Sequence, residues 1–87
     1  MKAVLHHIAA KYFERLSATD KNRLRAAFAG LEVEPPEGDI KPLIGQSNLC
    51  RLRVGSYRVL FRIENGTIFI LSIDPRGQAY KKKNRGK

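Results

Sequence analysis

The chain has 87 residues, a hydrophobic fraction of 43%, one cysteine and a formal net charge of +9 at pH 7. This length fits one domain near the lower limit of what folds alone, and one cysteine excludes an internal disulfide and a four-cysteine zinc site. No apolar run approaches the roughly 18 residues of a membrane span, so we expect a cytoplasmic protein that does not bind a membrane.

The excess positive charge lies in the second half of the chain. Residues 1–40 contain six Lys and Arg and six acidic residues, whereas residues 41–87 contain eleven Lys and Arg and two acidic residues. A concentrated basic surface attracts a polyanion such as a nucleic acid or an acidic protein. An anionic membrane is the least favoured of the possible polyanions. The alternative, a general solubility charge, predicts an even spread along the chain.

The first forty residues predict a short strand followed by a helical hairpin. Residues 2–6 are interpreted as the strand, and apolar residues at helical spacing predict a helix over Ile8–Leu16. Ser17 is the predicted N-cap of a second helix, with Asp20 reaching back as an imperfect capping box. Two prolines and a glycine in residues 34–38 end that helix. Its predicted buried stripe consists of Leu24, Ala27, Phe28 and Leu31.

The second half changes to the alternating pattern of strands. It predicts strands over Leu49–Val54, Tyr57–Glu64 and Thr67–Asp74, after a connector over residues 40–45. Asn65-Gly66 predicts a two-residue hairpin turn, because both turn positions need positive φ. The predicted fold is therefore α+β with the order β-α-α-β-β-β. Its helical hairpin covers one face of a small, mainly antiparallel sheet.

The hairpin also predicts which side chains share a face. The expected cross-strand pairs are Glu64–Thr67, Arg62–Phe69, Leu60–Leu71 and Arg58–Ile73. The face that the helices cover is expected to carry Tyr57, Val59, Phe61, Ile63, Ile68, Ile70 and Ser72. Arg58 and Arg62 then lie on the uncovered face, and Arg51 and Arg53 share one face of the preceding strand.

The segment after the last strand carries further cations. Arg76 and Tyr80 occur where a chain leaving the sheet would fold back over the basic face. Residues 81–87 contain five cations and no apolar residue, which predicts a flexible basic tail. The sequence thus predicts a single domain over residues 1–80 with this tail attached.

The segment IKPLIGQSNLCRLRVGSYRVLFRIENGTIFILSIDPRGQAYK resembles the C-terminal hallmark of RelE/ParE superfamily toxins from bacterial and archaeal toxin–antitoxin pairs. That hallmark is a leucine–glycine connector, an R-x-R-x-G-x-Y-R strand pair, a short hairpin and an arginine-to-tyrosine closing segment. With the preceding helical hairpin, the resemblance covers about residues 2–81.

For a RelE-like member, the resemblance implies a metal-independent endoribonuclease without a cofactor. Such an mRNA interferase cuts the codon in the ribosomal A site by attack of the RNA's own 2′-hydroxyl on the adjacent phosphate. The cut inhibits translation. By this resemblance Arg58 clamps the phosphate, and Arg76 stabilises or protonates the leaving oxygen. Arg51 and Arg53 hold the RNA backbone, while Tyr80 stacks on or orients the nucleotide next to the cut.

The sequence departs from that pattern in one respect, since Arg51 and Arg53 replace lysines of the best-known RelE toxin. Arginine stays protonated at physiological pH, so neither residue is a general base. The base is then Tyr80, a group of the substrate or ribosomal RNA, or absent. Further RNA contacts are assigned to Arg62, Lys81 and Lys82.

Two other functions remain open from the sequence. One is a ParE-like inhibitor of DNA gyrase without nuclease activity, and the other is a non-catalytic RNA- or protein-binding domain. The resemblance also implies a small acidic antitoxin as partner and the ribosome and mRNA as targets. Operator DNA would be contacted only through the antitoxin.

Overall fold

The computed structural model of the chain describes residues 1–45 and 48–75. Its elements are β1 (Lys2–Leu5), α1 (His7–Glu14), α2 (Ala18–Leu31), β2 (Asp39–Pro42), β3 (Leu49–Val54), β4 (Tyr57–Glu64) and β5 (Thr67–Pro75). The strands form one sheet in the order β1-β5-β4-β3-β2, parallel only between β1 and β5. This confirms the predicted α+β fold. No helix in the described residues is long and apolar enough to cross a lipid bilayer.

Polar side chains cap the start of both helices. Ser17 Oγ accepts a hydrogen bond from the backbone N–H of Asp20 at 3.2 Å, which confirms the predicted N-cap of α2. The Asp20 carboxylate does not complete a capping box, because it accepts a hydrogen bond from the Tyr57 hydroxyl at 2.7 Å instead. At α1, His6 Nδ1 accepts from the backbone N–H of Ile8 at 3.4 Å. The start of α2 is therefore bonded to the sheet as well as capped.

The helices cover the apolar face of the sheet. Alternate residues of β4 and β5 point toward them, and the predicted stripe of α2 packs onto those residues. Burying one large apolar side chain is worth about 1.5–3 kcal/mol, so this layer is the main source of stability. Its largest fully buried side chains are Phe61, Leu24, Leu31, Leu52, Ile68, Ile70 and Val59.

The strand β2 lies where the sequence predicted a connector. Residues 39–42 pair antiparallel with β3, with Asp39 opposite Arg53 and Lys41 opposite Arg51. Four residues that end in Pro42 give too short an alternation to be distinguished from a loop, and proline is tolerated because β2 is an edge strand. The additional strand brings an acidic residue beside the arginines of β3.

A β-bulge in β5 changes the predicted register of the hairpin. Asn65 and Gly66 have the expected positive φ angles of 49° and 76°, and Arg62 faces Phe69 as predicted. The register then shifts next to Leu60, so that Leu60 faces Ser72 and Arg58 faces Asp74. The pairs Leu60–Leu71 and Arg58–Ile73 are therefore wrong.

The bulge also exchanges two side chains between the faces of the sheet. An extra residue in one strand inverts the alternation beyond it. Ile73, which is 3% exposed, therefore lies in the core, and the predicted place of Ser72 on the helix-covered face is wrong. The physical reason is that the bulge buries an isoleucine in place of a serine.

Candidate functional site

The charged residues of the sheet lie on the side opposite the helices, which we call the open face. Strand alternation sends the apolar residues of β3 and β4 toward the helices and their arginines to this face. Within the described residues, six cations and three acids share it: Lys2, Lys41, Arg51, Arg53, Arg58, Arg62, Asp39, Glu64 and Asp74. The predicted separation of cations from the helices is confirmed for the residues of β3 and β4.

One transverse row of the open face consists of four charged residues. Across β2, β3, β4 and β5 the register places Asp39, Arg53, Arg58 and Asp74 side by side. Directly opposed side chains have Cβ atoms about 4.5–5.5 Å apart, and like charges at such positions repel. The Asp39 carboxylate at one end, 3.9 Å from Arg53 Nε, reduces that repulsion. The centre of this row is also a place where an anion would be stabilised.

The Asp39 carboxylate is shared between the two arginines of β3. Its Oδ1 lies 3.6 Å from Arg51 Nη2 and its Oδ2 lies 3.9 Å from Arg53 Nε. The side chain of Arg51 is only 11% exposed, whereas that of Arg53 is 41% exposed. Arg53 is therefore more accessible to a ligand than Arg51, whose side chain is largely buried. The buried Nε of Arg51 has no hydrogen-bond partner within the described part of the chain.

Arg62 lies nearer the other end of the open face, between Leu49 and Phe69. Its Nε is 3.6 Å from Glu64 Oε2, and both side chains are close to half exposed. An exposed pair of this kind contributes about 0–1 kcal/mol. Arg62 is thus available for an electrostatic contact, but it is two positions along β4 from Leu60 and separated by it from Arg58.

Two tyrosines stand behind the charged row, on the helix side of the sheet. The Tyr57 hydroxyl donates to Asp20, and this bond, with burial, raises the pKa of Tyr57 to about 12. Burial and then the nearby Asp74 and Asp20 carboxylates raise the pKa of Tyr12. The two rings meet edge to face, with centroids 6.5 Å apart. Both phenols therefore stay protonated at neutral pH and fasten the helices to the sheet.

The order and charge of these elements correspond to a known family. A model described as the ParE toxin of the type II toxin–antitoxin system parDE matches residues 2–80. The chain belongs to this family of toxins. The match spans both the helical hairpin and the strands that carry the charged row.

Solved RelE structures have the same fold as this toxin. A chain of the archaeal RelE–RelB complex from Pyrococcus horikoshii is 30% identical, with a TM-score of 0.75, covering 88% of the toxin and 96% of that chain. The RelB–RelE complex from Methanococcus jannaschii matches at 20% identity and a TM-score of 0.74, covering 91% and 96%. The isolated E. coli RelE toxin matches at 16% identity and 0.72, covering 95% and 94%.

Comparison with curated proteins gave no match. The family model and the Pyrococcus structure nevertheless confirm the RelE/ParE superfamily predicted from the R-x-R-x-G-x-Y-R motif. The two less similar structures establish the shared fold.

The structure brings together three of the toxin's predicted site residues, Arg51, Arg53 and Arg58, with Arg62 farther along the same face. The remaining ones lie outside the described residues: Arg76, Tyr80, Lys81 and Lys82. The proposed tail over residues 81–87 lies outside them as well. In the described part of the chain, no group of three or more His, Cys, Asp or Glu side chains is placed to hold a metal ion.

Sequence reasoning missed the carboxylates that accompany the arginines. The sequence predicts no strand at Asp39, and it predicts Ile73, the neighbour of Asp74, opposite Arg58. One signal for the second error was present, since Ser72 interrupts an otherwise apolar stripe, and a one-residue shift in register places Ile73 in that stripe instead. Nothing in the four-residue β2 segment indicated that Asp39 belongs to a strand.

Proposed function

We propose that the toxin is a ribosome-dependent mRNA endonuclease that cleaves the codon in the ribosomal A site. The observation that carries this proposal is the direct opposition of Arg53 and Arg58 on the open face. Two guanidinium groups at facing positions supply paired N–H donors and two positive charges, which suit the oxygens of a phosphate. The 30% identity to a chain of an archaeal RelE–RelB complex supports the RelE-like activity.

In this reaction the 2′-oxygen forms a bond to the adjacent phosphorus while the bond from phosphorus to the 5′-oxygen breaks. The 2′-hydroxyl loses its proton and the leaving 5′-oxygen gains one, giving a 2′,3′-cyclic phosphate and a 5′-hydroxyl. Negative charge increases on the phosphorane between these events. Cations already held in position stabilise the transition state, where this charge develops, more than they stabilise the ground state. One hydrogen-bond donor placed in this way increases the rate by about 10²–10³.

The arginines divide this work according to their positions. Arg58 and the accessible Arg53 face each other on the two central strands and bind the oxygens of the scissile phosphate. The side chain of Arg51 is largely buried beside Asp39, so it contributes positive potential and support more than direct contact. Arg76 would stabilise or protonate the leaving oxygen, and Tyr80 would orient the neighbouring nucleotide. Arg62, Lys81 and Lys82 would contact the RNA backbone away from the cut.

The arginines of the charged row and the two tyrosines behind it supply no general base. The arginines keep their protons at any physiological pH, and the pKa values of Tyr12 and Tyr57 are raised rather than lowered. We assign the 2′ proton to Tyr80 or to a group of the RNA or ribosome, unless it is lost without a dedicated base. The rate then depends mainly on position and charge.

We propose further that an acidic antitoxin pairs with this chain and covers the open face. The Pyrococcus and Methanococcus relatives were solved as RelE–RelB complexes. Complementary charge directs such an encounter, and the six cations on the open face meet that requirement. A bound antitoxin would occupy the place of the RNA and keep the toxin from its substrate.

The test is cleavage of mRNA on programmed ribosomes by wild type and Arg58→Ala, with primer extension on mRNA from induced cells. We expect codon-phased cuts by wild type and a loss of at least about 100-fold in Arg58→Ala, with an unchanged melting temperature. Arg25→Gln is the matched control. Its guanidinium lies 5.4 Å from the Phe13 ring on the helix side, so cleavage should persist.

Two results would contradict the proposal. One is an Arg58→Ala variant that folds and cleaves at the wild-type rate. The other is intact mRNA with DNA breaks in cells expressing the wild-type toxin, which would assign it to the ParE-like gyrase inhibitors. A folded protein that neither cuts RNA nor arrests growth would favour the non-catalytic binding domain.

A further inference from the structure

The side chain of Arg23 lies against the turn that joins the two arginine-bearing strands. If Gly55 carried a Cβ, that atom would be 3.0 Å from Arg23 Nη1 and 3.6 Å from its Cδ. Gly55 also has a φ of +59°, which other residues rarely adopt. The turn therefore needs glycine for its backbone, and the missing side chain leaves room for an exposed arginine of α2.

The position of Arg23 is fixed by the hydrogen bond one helical turn earlier. Tyr57 donates to Asp20 at 2.7 Å, and residues three apart on a helix lie on the same side. The bond that holds the start of α2 on β4 therefore also directs Arg23 toward Gly55. Arg53 precedes Gly55 by two residues and Arg58 follows it by three.

The positive charge thus continues from the open face around the end of the sheet. The zero net charge of residues 1–40 conceals this, because four of its six acids follow α2. Three cations occur over residues 21–25, against one acid in that helix, the part-buried Asp20. The exposed acids Glu32, Glu34 and Glu37 follow α2, and the exposed Glu14 lies in α1. A polyanion bound at the Arg53–Arg58 pair would meet Arg23 if it passed the turn.

We propose that Arg23 binds a backbone phosphate of the RNA outside the cleavage site, where the RNA passes around the turn between β3 and β4. This inference rests on the proposed function, since it takes the RNA at Arg53 and Arg58 as its starting point. An exposed guanidinium on a rigid helix suits a phosphate contact, which positions the strand without reading its sequence. Arg23 is therefore a positioning residue of the RNA interface.

The test is binding of a fluorescein-labelled, fully 2′-O-methylated single-stranded RNA, measured by anisotropy from 50 to 300 mM salt. This probe lacks the attacking hydroxyl and stays intact. Loss of one phosphate contact should weaken binding and reduce the slope of log Kd against log salt by about 0.7 in Arg23→Gln. The loss should be similar for RNAs of different sequence. Arg23→Lys keeps the charge and should retain the wild-type slope.

Matched variants separate this contact from a structural role and from the cleavage site. Arg25→Gln removes a cation two residues away that donates to Asn22 and lies over Phe13, so its slope should equal that of wild type. Arg23→Gln should keep the wild-type melting temperature. A lower melting temperature with an unchanged slope would show that Arg23 only supports the turn, and would overturn the proposal.

The remaining outcomes distinguish this inference from the proposed function. If Arg58→Gln reduces the slope and Arg23→Gln does not, the RNA interface ends at the turn and only this inference fails. If neither variant changes the slope, the RNA-binding face itself fails. If Arg23→Gln weakens binding of poly-L-glutamate but not of RNA, Arg23 contacts an acidic protein instead, which also overturns the inference.

Discussion

Phe61 and Arg62 are neighbours in β4, yet they lie in opposite environments. Phe61 is 2% exposed beneath the helices, whereas the side chain of Arg62 is 46% exposed on the open face. The same alternation runs through β3, where Leu52 and Val54 are buried and Arg53 is exposed. One strand thus supplies apolar contacts to one layer and cations to the other.

This difference separates stability from binding. Burial on the helix-covered face contributes kilocalories for each large side chain. The exposed ion pairs of the open face, Arg53–Asp39 at 3.9 Å and Arg62–Glu64 at 3.6 Å, contribute about 0–1 kcal/mol each. Substitutions on the first face should therefore unfold the toxin, while those on the second should alter its ligands and leave the fold intact.

The largest effect is expected from Phe61→Ala. Truncation of a buried phenylalanine leaves a cavity and typically costs about 3–5 kcal/mol, which is a large part of the stability of a domain of this size. Urea denaturation followed by circular dichroism measures the change. Arg62→Ala, the adjacent residue, should change the free energy of unfolding by less than about 0.5 kcal/mol. Equal losses in the two variants would refute the division between the faces.

A smaller effect is expected from Tyr57→Phe, which keeps the ring and removes the hydrogen bond to Asp20. Loss of this bond should cost about 1–2 kcal/mol at pH 7. Folding raises the pKa of Tyr57 from 10.0 to about 12. The contribution of its hydroxyl to the free energy of unfolding is therefore fully present below pH 10. As the pH rises from 10 through about 12, that contribution is lost. The difference in stability between wild type and variant should therefore shrink over that range.

Denaturation of both proteins at several pH values measures this difference. Tyr12, whose pKa is also raised, is present in both proteins, so its contribution largely cancels. A difference that stays constant from pH 9 to pH 12 would mean that the Tyr57 hydroxyl is not the group that titrates. A variant as stable as wild type at pH 7 would mean that this bond adds nothing to the contact between the layers.

The parts of the fold that short-range chemistry decides were predictable from sequence. Asn65-Gly66 needs positive φ at both positions, and this alone located the hairpin and its first pairs. The Ser17 cap and the buried stripe of α2 follow from equally local rules. The R-x-R-x-G-x-Y-R motif then indicated both the family and the arginines of β3 and β4.

The charged row was not predictable, because it depends on packing between distant segments. The bulge decides whether Ser72 or Ile73 enters the core. Burial of Ile73 stabilises the fold more than regular strand pairing at that point would. Likewise, nothing local to residues 39–42 shows that they pair with β3. The carboxylates beside Arg53 and Arg58 come from these two places, so only the cations of the site could be read in advance.

A small effect on stability, and the sharpest test of the comparison, is expected from Asp39→Asn. This carboxylate is 51% exposed and lies 3.6 Å from Arg51 and 3.9 Å from Arg53, so its removal should cost less than about 1 kcal/mol. It should, however, remove the carboxylate that competes with a ligand for Arg51 and Arg53. A unit charge about 4 Å away is worth about 1 kcal/mol in water, so RNA affinity should increase by up to about fivefold.

Glu64→Gln is the matched control for Asp39→Asn, because it removes a carboxylate of the same face that is paired with Arg62. It should increase affinity for the 2′-O-methylated RNA less than Asp39→Asn does, since Glu64 lies at the far end of β4 from the Arg53–Arg58 pair. Weaker binding by Asp39→Asn would show instead that the carboxylate holds the arginines in their binding position. In that case the open face would depend on its acids for geometry as well as for charge balance.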